Sequence, residues 1–251
     1  MQEKVKARLY VDRDLADGSA VGLGAEQAHY LRNVLRVEAG ADVALFNGRD
    51  GEWRGHVDGI GKGWASVQLV VQVRPQAAES DLWLVFAPVK RTRIDFVVEK
   101  ATELGVSALW PVFTRYTQMT RVNLERLKAT AVEAAEQSER LTVPELLEPV
   151  ALAEAIQRWP AGRRLIVCDE RGGAPPMVQA LDGFRPPAAM LIGPEGGFAD
   201  GELDDLAKLD FVSRVGLGPR VLRADTAAIA ALSIWQALVG DWRGVSSSRP
   251  R

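Results

Sequence analysis

Two glycine-rich segments have the residue types best suited to hold a ligand. The first is Gly193-Pro194-Glu195-Gly196-Gly197-Phe198, which follows a short apolar run, and the second is Gly216-Leu217-Gly218-Pro219-Arg220, which follows another. A connection from a strand to a helix needs one glycine at most. Three glycines in the first segment therefore predict that a ligand lies against its backbone.

The residues around these glycines restrict the kind of ligand. The first segment lacks the Lys-Ser/Thr pair of a P-loop, and the second lacks the third glycine of the dinucleotide fingerprint. A carboxylate at Glu195 would also repel a pyrophosphate. A ligand with hydrogen-bonding edges and a positive centre remains, and adenosine joined to a sulfonium has these properties.

Composition limits the class of protein. The chain has 251 residues, of which 47% are hydrophobic and 25% are charged, so it can bury a core as one large domain or two modest ones. Its start lacks the apolar stretch of a signal peptide, and no run is long enough to span a membrane, so we expect a cytoplasmic protein with no membrane partner. The single Cys168 and two histidines, His29 and His56, provide no familiar zinc spacing, and we expect no metal.

Positive charge is concentrated in one stretch, although the formal net charge is −2. Residues 85–130 carry eight bases against four acids, whereas residues 131–170 carry four bases against eight acids. This asymmetry is compatible with a phosphate-facing patch on a nearly neutral body, and equally with solvated helix faces.

Two patterns of secondary structure divide the chain. Up to about Val73, short β-branched and aromatic runs alternate with turns, interrupted by one helical pattern over residues 25–37. Residues 74–80 have linker composition. After them, apolar strands alternate with helical segments, which predicts an α/β domain with a mostly parallel sheet. Both glycine-rich segments then lie at the carboxyl ends of strands, where such sheets bind ligands.

Four ordered blocks resemble one known family. They are KRTRIDFVVEKATELGV (90–106), EAAEQSERLTVPEL (133–146), LIGPEGGF (191–198) and VGLGPRVLRADTAAIAAL (215–232). Together they resemble the ribosomal RNA small subunit methyltransferase E family of the SPOUT class, and the likeness extends over nearly the whole chain. The resemblance implies a PUA-like β-barrel over residues 1–75 that binds RNA. It also implies an α/β trefoil-knot methyltransferase domain over residues 76–251.

The resemblance also implies an activity. Members use S-adenosylmethionine to methylate N3 of a uridine in 16S rRNA, at position 1498 in the standard numbering of that RNA, and they act as homodimers on the small ribosomal subunit. Two alternatives stay open: a SPOUT methyltransferase acting on another RNA such as tRNA, and a noncatalytic RNA-binding assembly factor. Cofactor binding separates the last of these, because a degenerate scaffold need not retain three loop glycines.

The cofactor-binding residues that we expect lie in or beside the two glycine-rich segments. They are Glu170, Leu191, Ile192, Gly193, Pro194, Gly196, Gly197, Leu217, Gly218, Pro219 and Leu222. Cys168 is a packing residue in this interpretation, because methylation of N3 needs no covalent attack on the base.

Glu195, Arg223 and Asp225 are the catalytic candidates. Methylation of N3 requires removal of an imide proton, and either carboxylate is a candidate to accept it. Glu195 is alternatively a counter-charge for the sulfonium. The family usually has glutamate where this chain has Asp225, and Asp225 is also a candidate cap for the helix that follows. Arg223 and Arg220 flank the site, where each would hold the target phosphate or orient the base.

Basic residues in both parts of the chain are candidates for contact with RNA. They are Arg8, Arg32, Arg36, Lys90, Arg91, Arg93, Arg115, Arg121, Asn123 and Arg220. Three of them, Lys90, Arg91 and Arg93, lie between a strand end and a helix start, where phosphate binds readily. The four-residue spacing of Arg32 and Arg36 predicts that they share one helix face.

Overall fold

The computed structural model describes residues 5–244, apart from the side chains of Arg91 and Thr92. The chain divides into two compact units. The first contains residues up to 78 together with residues 135–143, and the second contains residues 79–134 together with those from 144 onward. The sequence analysis expects one contiguous boundary after residue 75. In the structure, residues 135–143 also belong to the first unit.

The first unit is built on one mixed sheet. Its strands are β1 (Arg8–Tyr10), β2 (Ala20–Leu23), β3 (Asp42–Phe46), β4 (Glu52–Gly61) and β5 (Trp64–Arg74), in the order β1-β3-β4-β5-β2. Strands β1 and β3 are parallel, and the other pairs are antiparallel. A helix, α1 (Ala25–His29), continues into a π-helical turn over Tyr30–Val34. The β-rich unit with one inserted helix is therefore confirmed.

Alternating apolar residues of these strands form the core of the first unit. Leu9, Val43, Leu45, Val57 and Val67 are all buried there. Strand β2 was missed by the sequence pattern, because its four residues include a glycine and an alanine and provide little β propensity. Pairing with the long strand β5 holds it in place.

The second unit contains the remaining strands and helices. Its strands are β6 (Leu82–Phe86), β7 (Ala108–Phe113), β8 (Glu145–Leu146), β9 (Val150–Ala151), β10 (Arg164–Cys168), β11 (Ala188–Ile192) and β12 (Val212–Val215). Its helices are α2 (Arg91–Glu103), α3 (Leu124–Gln137), whose last residues belong to the first unit, α4 (Leu152–Gln157), α5 (Met177–Ala180), α6 (Asp200–Ala207) and α7 (Ala224–Leu238).

The sheet of the second unit has the order β12-β10-β11-β6-β7-β8, with β9 also pairing β7, and all of these pairs are parallel. This confirms the predicted parallel α/β domain. The central strands β10 and β11 are almost wholly buried, which explains their unbroken apolar sequences. Threading of the chain into a trefoil knot stays a prediction, since strand order does not define it.

Helix α2 shows how the local sequence sets an element of this domain. Its buried residues Ile94, Val97, Val98 and Ala101 recur at helical spacing. The helix ends where Gly105 takes a φ of +80°, and the amide of Val106 donates to the carbonyl of Ala101. This is the glycine-terminated end that the sequence predicts. No helix in the described part of the chain is both long and apolar enough to cross a membrane.

Candidate cofactor and RNA site

Three adjacent strand ends create the candidate site. Strands β12, β10 and β11 are neighbours and parallel, so the segments that follow them leave the same edge of the sheet. The segment after β10 is tied to the one after β12, because the amide of Met177 donates to the carbonyl of Gly216 at 3.0 Å. The two glycine-rich segments thus lie at the edge where parallel sheets bind ligands.

Residues 193–198 form the glycine loop that follows β11. A Cβ on Gly193 would lie 2.8 Å from the Phe198 ring, and a Cβ on Gly197 would overlap Glu170 Oε1. Gly197 also has a φ of +72°, which disfavours other residues. At these two positions the protein's own packing also favours glycine, so a ligand is not needed to explain them, and cofactor contact at Gly193 and Gly197 stays a prediction.

The exposed part of the glycine loop is short. Pro194 and Phe198 are buried, whereas Glu195 and Gly196 face solvent. A Cβ on Gly196 would meet Tyr116 Cβ at 3.3 Å, so that face is limited but not closed. The backbone around Glu195 and Gly196 is therefore the part of the loop open to a ligand.

Leu191 and Ile192 lie inside strand β11 and are almost fully buried. Leu191 belongs to the hydrophobic cluster on one face of the sheet, and the Ile192 carbonyl accepts the Ala87 amide at 2.9 Å. Their side chains do not face the loop surface. They anchor the strand that precedes the glycine loop, and their expected contact with the cofactor stays a prediction.

Glu170 fixes the position of the glycine loop. It follows β10, and its Oε1 accepts the Phe198 amide at 2.9 Å. Its role as a cofactor contact stays a prediction, and one of its oxygens already holds the loop. Cys168, two residues earlier, is buried as expected, and burial, with the nearby Glu170 charge, raises the pKa of its thiol to about 12.

The second glycine-rich segment is more open. Gly218 has a φ of +108°, and a Cβ there would meet no atom within 4 Å. Pro219 and Arg220 are exposed, and Leu217 and Leu222 are half-buried. This segment therefore presents open backbone and apolar side chains at the end of β12. Strand β12 is separated from β11, which precedes the glycine loop, by β10 alone.

Asp225 is not the N-cap of helix α7, contrary to one of the two expected roles. Arg223 occupies the cap position, and Asp225 is the second helical residue. Asp225 Oδ1 accepts the Thr226 amide at 2.8 Å, and its Oδ2 lies 3.8 Å from Nη1 of Arg93 in helix α2. Arg93 is thus paired with a carboxylate, which makes it a weaker candidate for binding phosphate.

The other basic candidates of the second unit differ in what they offer. Lys90 is the exposed N-cap residue of α2, and Arg115, Arg121 and Arg220 are exposed. The Arg91 side chain lies outside the described residues. Asn123 Oδ1 accepts the Arg126 amide at 3.0 Å and so caps helix α3, a role that the sequence analysis missed.

In the first unit, the internal contacts of Arg8 make it a weak candidate for an RNA contact, and that role stays a prediction. Its side chain is 11% exposed, pairs with Glu52 at 2.7 Å, stacks 3.7 Å from the Phe46 ring centre and donates to the Ala135 carbonyl at 2.9 Å. Alternation alone could not show that this arginine points inward.

Arg32 and Arg36, the other basic candidates of this unit, do not share a helix face as predicted. The π-helical turn ends at Val34, and Arg36 follows it with a φ of +53°. Both side chains remain exposed.

Glu202 is a polar residue of this site that the sequence analysis missed. It is the third residue of α6, and it binds the amides of Ala199 and Arg115 at 2.9 and 2.8 Å. Its spacing from Ala199 matches half of a capping box, but Ala199 has no side-chain acceptor, so the usual signal was incomplete. Within the described residues, no group of three or more His, Cys, Asp or Glu side chains is arranged to hold a metal.

Comparisons with known proteins agree with this geometry. A family model described as "RNA methyltransferase domain" matches residues 76–236, and one described as "RNA methyltransferase PUA domain" matches residues 23–70. The ribosomal RNA small subunit methyltransferase E of Rickettsia conorii is 32% identical, with 90% of this chain and 93% of that protein covered.

Solved structures agree as well. The enzyme of the same name from Neisseria gonorrhoeae, bound to S-adenosyl methionine, has a TM-score of 0.83 and 29% identity, covering 94% of this chain and 99% of that one. A putative methyltransferase from Legionella pneumophila, in complex with the same cofactor, has a TM-score of 0.81 and 31% identity, covering 95% and 100%. From its sequence and its fold alike, this chain belongs to the ribosomal RNA small subunit methyltransferase E family.

Proposed function

We propose that this protein methylates N3 of one uridine in 16S rRNA, the nucleotide at position 1498 of the standard numbering. Methylation of 16S rRNA with S-adenosylmethionine as donor follows from membership of the family. The atom and the nucleotide are the proposal. One observation supports it above all. An exposed carboxylate, Glu195, lies next to open glycine backbone at the carboxyl ends of adjacent strands.

The residues at this edge fit S-adenosylmethionine. Open backbone at Gly196 and Gly218 provides hydrogen-bonding groups, and half-buried Leu217 and Leu222 provide apolar surface for an adenine ring. The negative charges of Glu170 and Glu195 complement a sulfonium. When bound, the cofactor supplies an electrophilic methyl group.

Glu195 is the better candidate to accept the N3 proton. It is exposed, and among the described residues it makes no hydrogen bond or ion pair. Asp225, by contrast, accepts the Thr226 amide and faces Arg93. The Asp225 carboxylate therefore already faces donors of the protein, whereas both oxygens of Glu195 are open to a substrate. Arg223 is exposed at the N-cap of α7, and its role in this proposal is to orient the base.

We further propose that the substrate is the assembled small subunit and that the reaction takes place in the cytoplasm, where that subunit is found. We also propose that the protein acts as a homodimer. Exposed Lys90, Arg115, Arg121 and Arg220 supply phosphate contacts in the second unit. Apolar surface for a dimer is available, since Val221 is 85% exposed and Trp242 is 57% exposed. Sedimentation equilibrium tests the dimer.

The decisive experiment is methyl transfer from labelled S-adenosylmethionine to small subunits that lack this modification, followed by nucleoside mass spectrometry of the 16S rRNA. We expect 3-methyluridine at one site. Incorporation into a different nucleoside, or into tRNA only, would refute the proposed target. Absence of cofactor binding would favour the noncatalytic alternative.

Matched neutral variants separate the two carboxylates. We expect Glu195→Gln to lower kcat by about 10²- to 10⁴-fold, as loss of a general base does. Asp225→Asn should have a much smaller effect on kcat. The opposite ranking would assign the proton to Asp225.

A further inference from the structure

Glu202 joins two segments that are distant in sequence. Its Oε2 accepts the Ala199 amide at the end of the glycine loop, and its Oε1 accepts the Arg115 amide, 87 residues earlier in the chain. The first bond helps to begin helix α6. The second bond has no part in helix capping, because Arg115 follows strand β7.

The segment that carries Arg115 is a closed turn, the Arg115 turn (residues 114–117). The Thr114 amide donates to Thr117 Oγ1 at 2.9 Å, and the Thr117 amide donates to the Thr114 carbonyl at 3.2 Å. These two bonds close the turn on itself. Its exposed side chains are Arg115, an RNA candidate, and Tyr116, which packs near Gly196.

The glycine loop is held from its other side by Glu170. Phe198 and Ala199 are consecutive, and their amides bind Glu170 and Glu202, each at 2.9 Å. A change in the loop that displaces Ala199 must break a bond to Glu202. Since Glu202 also binds the Arg115 amide, a displacement of Glu202 with the loop changes the position of the Arg115 turn.

We propose that Glu202 is a positioning residue that couples RNA binding at the Arg115 turn to cofactor binding at the glycine loop. This inference rests on the proposed function for the identity of the two ligands. RNA phosphate held by Arg115 favours one position of the turn, and through Glu202 the same position orders the loop. Each ligand then tightens the binding of the other by the same factor.

The test measures affinity rather than turnover. The full-length protein is titrated with S-adenosylhomocysteine, which cannot donate a methyl group, with and without saturating unmodified small subunits. For the wild-type protein we expect RNA to tighten this binding by about five- to tenfold, within the usual range of coupling between sites.

Three variants isolate the role of Glu202. Glu202→Gln keeps one acceptor oxygen and turns an NH₂ group toward the other backbone amide, so it can hold one segment but not both. Glu202→Asp keeps an acidic group at the helix start but is too short to hold both segments. Asp205→Asn removes one charge from the same helix, where Asp205 pairs only with Lys208 among the contacts described for it, and serves as the control.

The readout is the ratio of the affinities for the cofactor analogue with and without subunits, and we expect this ratio to fall below about twofold in Glu202→Gln and in Glu202→Asp. Asp205→Asn should retain the full RNA effect. Wild-type coupling that persists in both Glu202 variants, or a wild-type protein without coupling, overturns the proposal. A wild-type protein that shows coupling but methylates no uridine refutes the proposed function instead.

Discussion

Replacing Gly197 with alanine tests the packing of the glycine loop. The new Cβ requires a φ of +72°, at a cost of about 1 kcal/mol or slightly more. It also overlaps Glu170 Oε1, so the carboxylate must leave the Phe198 amide, at a cost of about 1 kcal/mol for a bond whose acceptor is exposed. We expect the free energy of unfolding to fall by about 2 to 3 kcal/mol.

A double-mutant cycle measures the coupling between Gly197 and Glu170. Glu170→Ala alone should cost about 1 kcal/mol, for the lost bond to Phe198. In the double variant that bond is absent and nothing overlaps the new Cβ, so the total should stay near that of Gly197→Ala. The cycle should therefore show a coupling of about 1 kcal/mol between contacting residues.

Urea unfolding followed by tryptophan fluorescence measures these free energies. Gly201→Ala is the control, because a Cβ at that helical position meets no atom within 4 Å, and we expect it to be neutral or slightly stabilising. Strictly additive losses in the Gly197 and Glu170 variants would refute the proposed overlap.

Two further predictions concern buried groups. The Cys168 thiol has a pKa of about 12 in the folded state, so above about pH 9 it loses its proton only in the unfolded state. The free energy of unfolding should therefore fall as pH rises, by about 1 to 2 kcal/mol at pH 10. Cys168→Ala should remove this fall in urea titrations. Glu52→Ala leaves the 11% exposed Arg8 side chain without its carboxylate, so we expect a loss of about 3 to 5 kcal/mol in thermal unfolding. A loss below about 1 kcal/mol would show that Arg8 finds water or another partner.

Periodicity predicted the larger elements of this fold well. Helices α2 and α7 and strands β6, β10 and β11 lie where apolar spacing placed them, because each buries a face or a whole strand in one core. The short strands β8 and β9 carry no such pattern, and only pairing with β7 defines them.

The candidate site was predicted less completely, for a physical reason. Composition located the glycine loop, but it could not tell a glycine that faces a ligand from one that faces Phe198 or Glu170. Contacts between residues far apart in sequence, such as Glu202 with Arg115, leave no local pattern. The same holds for Arg8, whose partners Glu52 and Ala135 lie 44 and 127 residues away.

The return of residues 135–143 to the first unit has a consequence for fragments of this protein. The chain passes between the two units three times, so no single cut separates them. A fragment that ends at residue 78 would keep Arg8 but lose the carbonyls of Ala135 and Arg140 that receive its guanidinium. The complementary fragment would begin at residue 79 and carry the buried Leu141 without the rest of the first unit. The first unit therefore cannot complete its interior from a fragment that ends at residue 78, because part of it lies beyond residue 134.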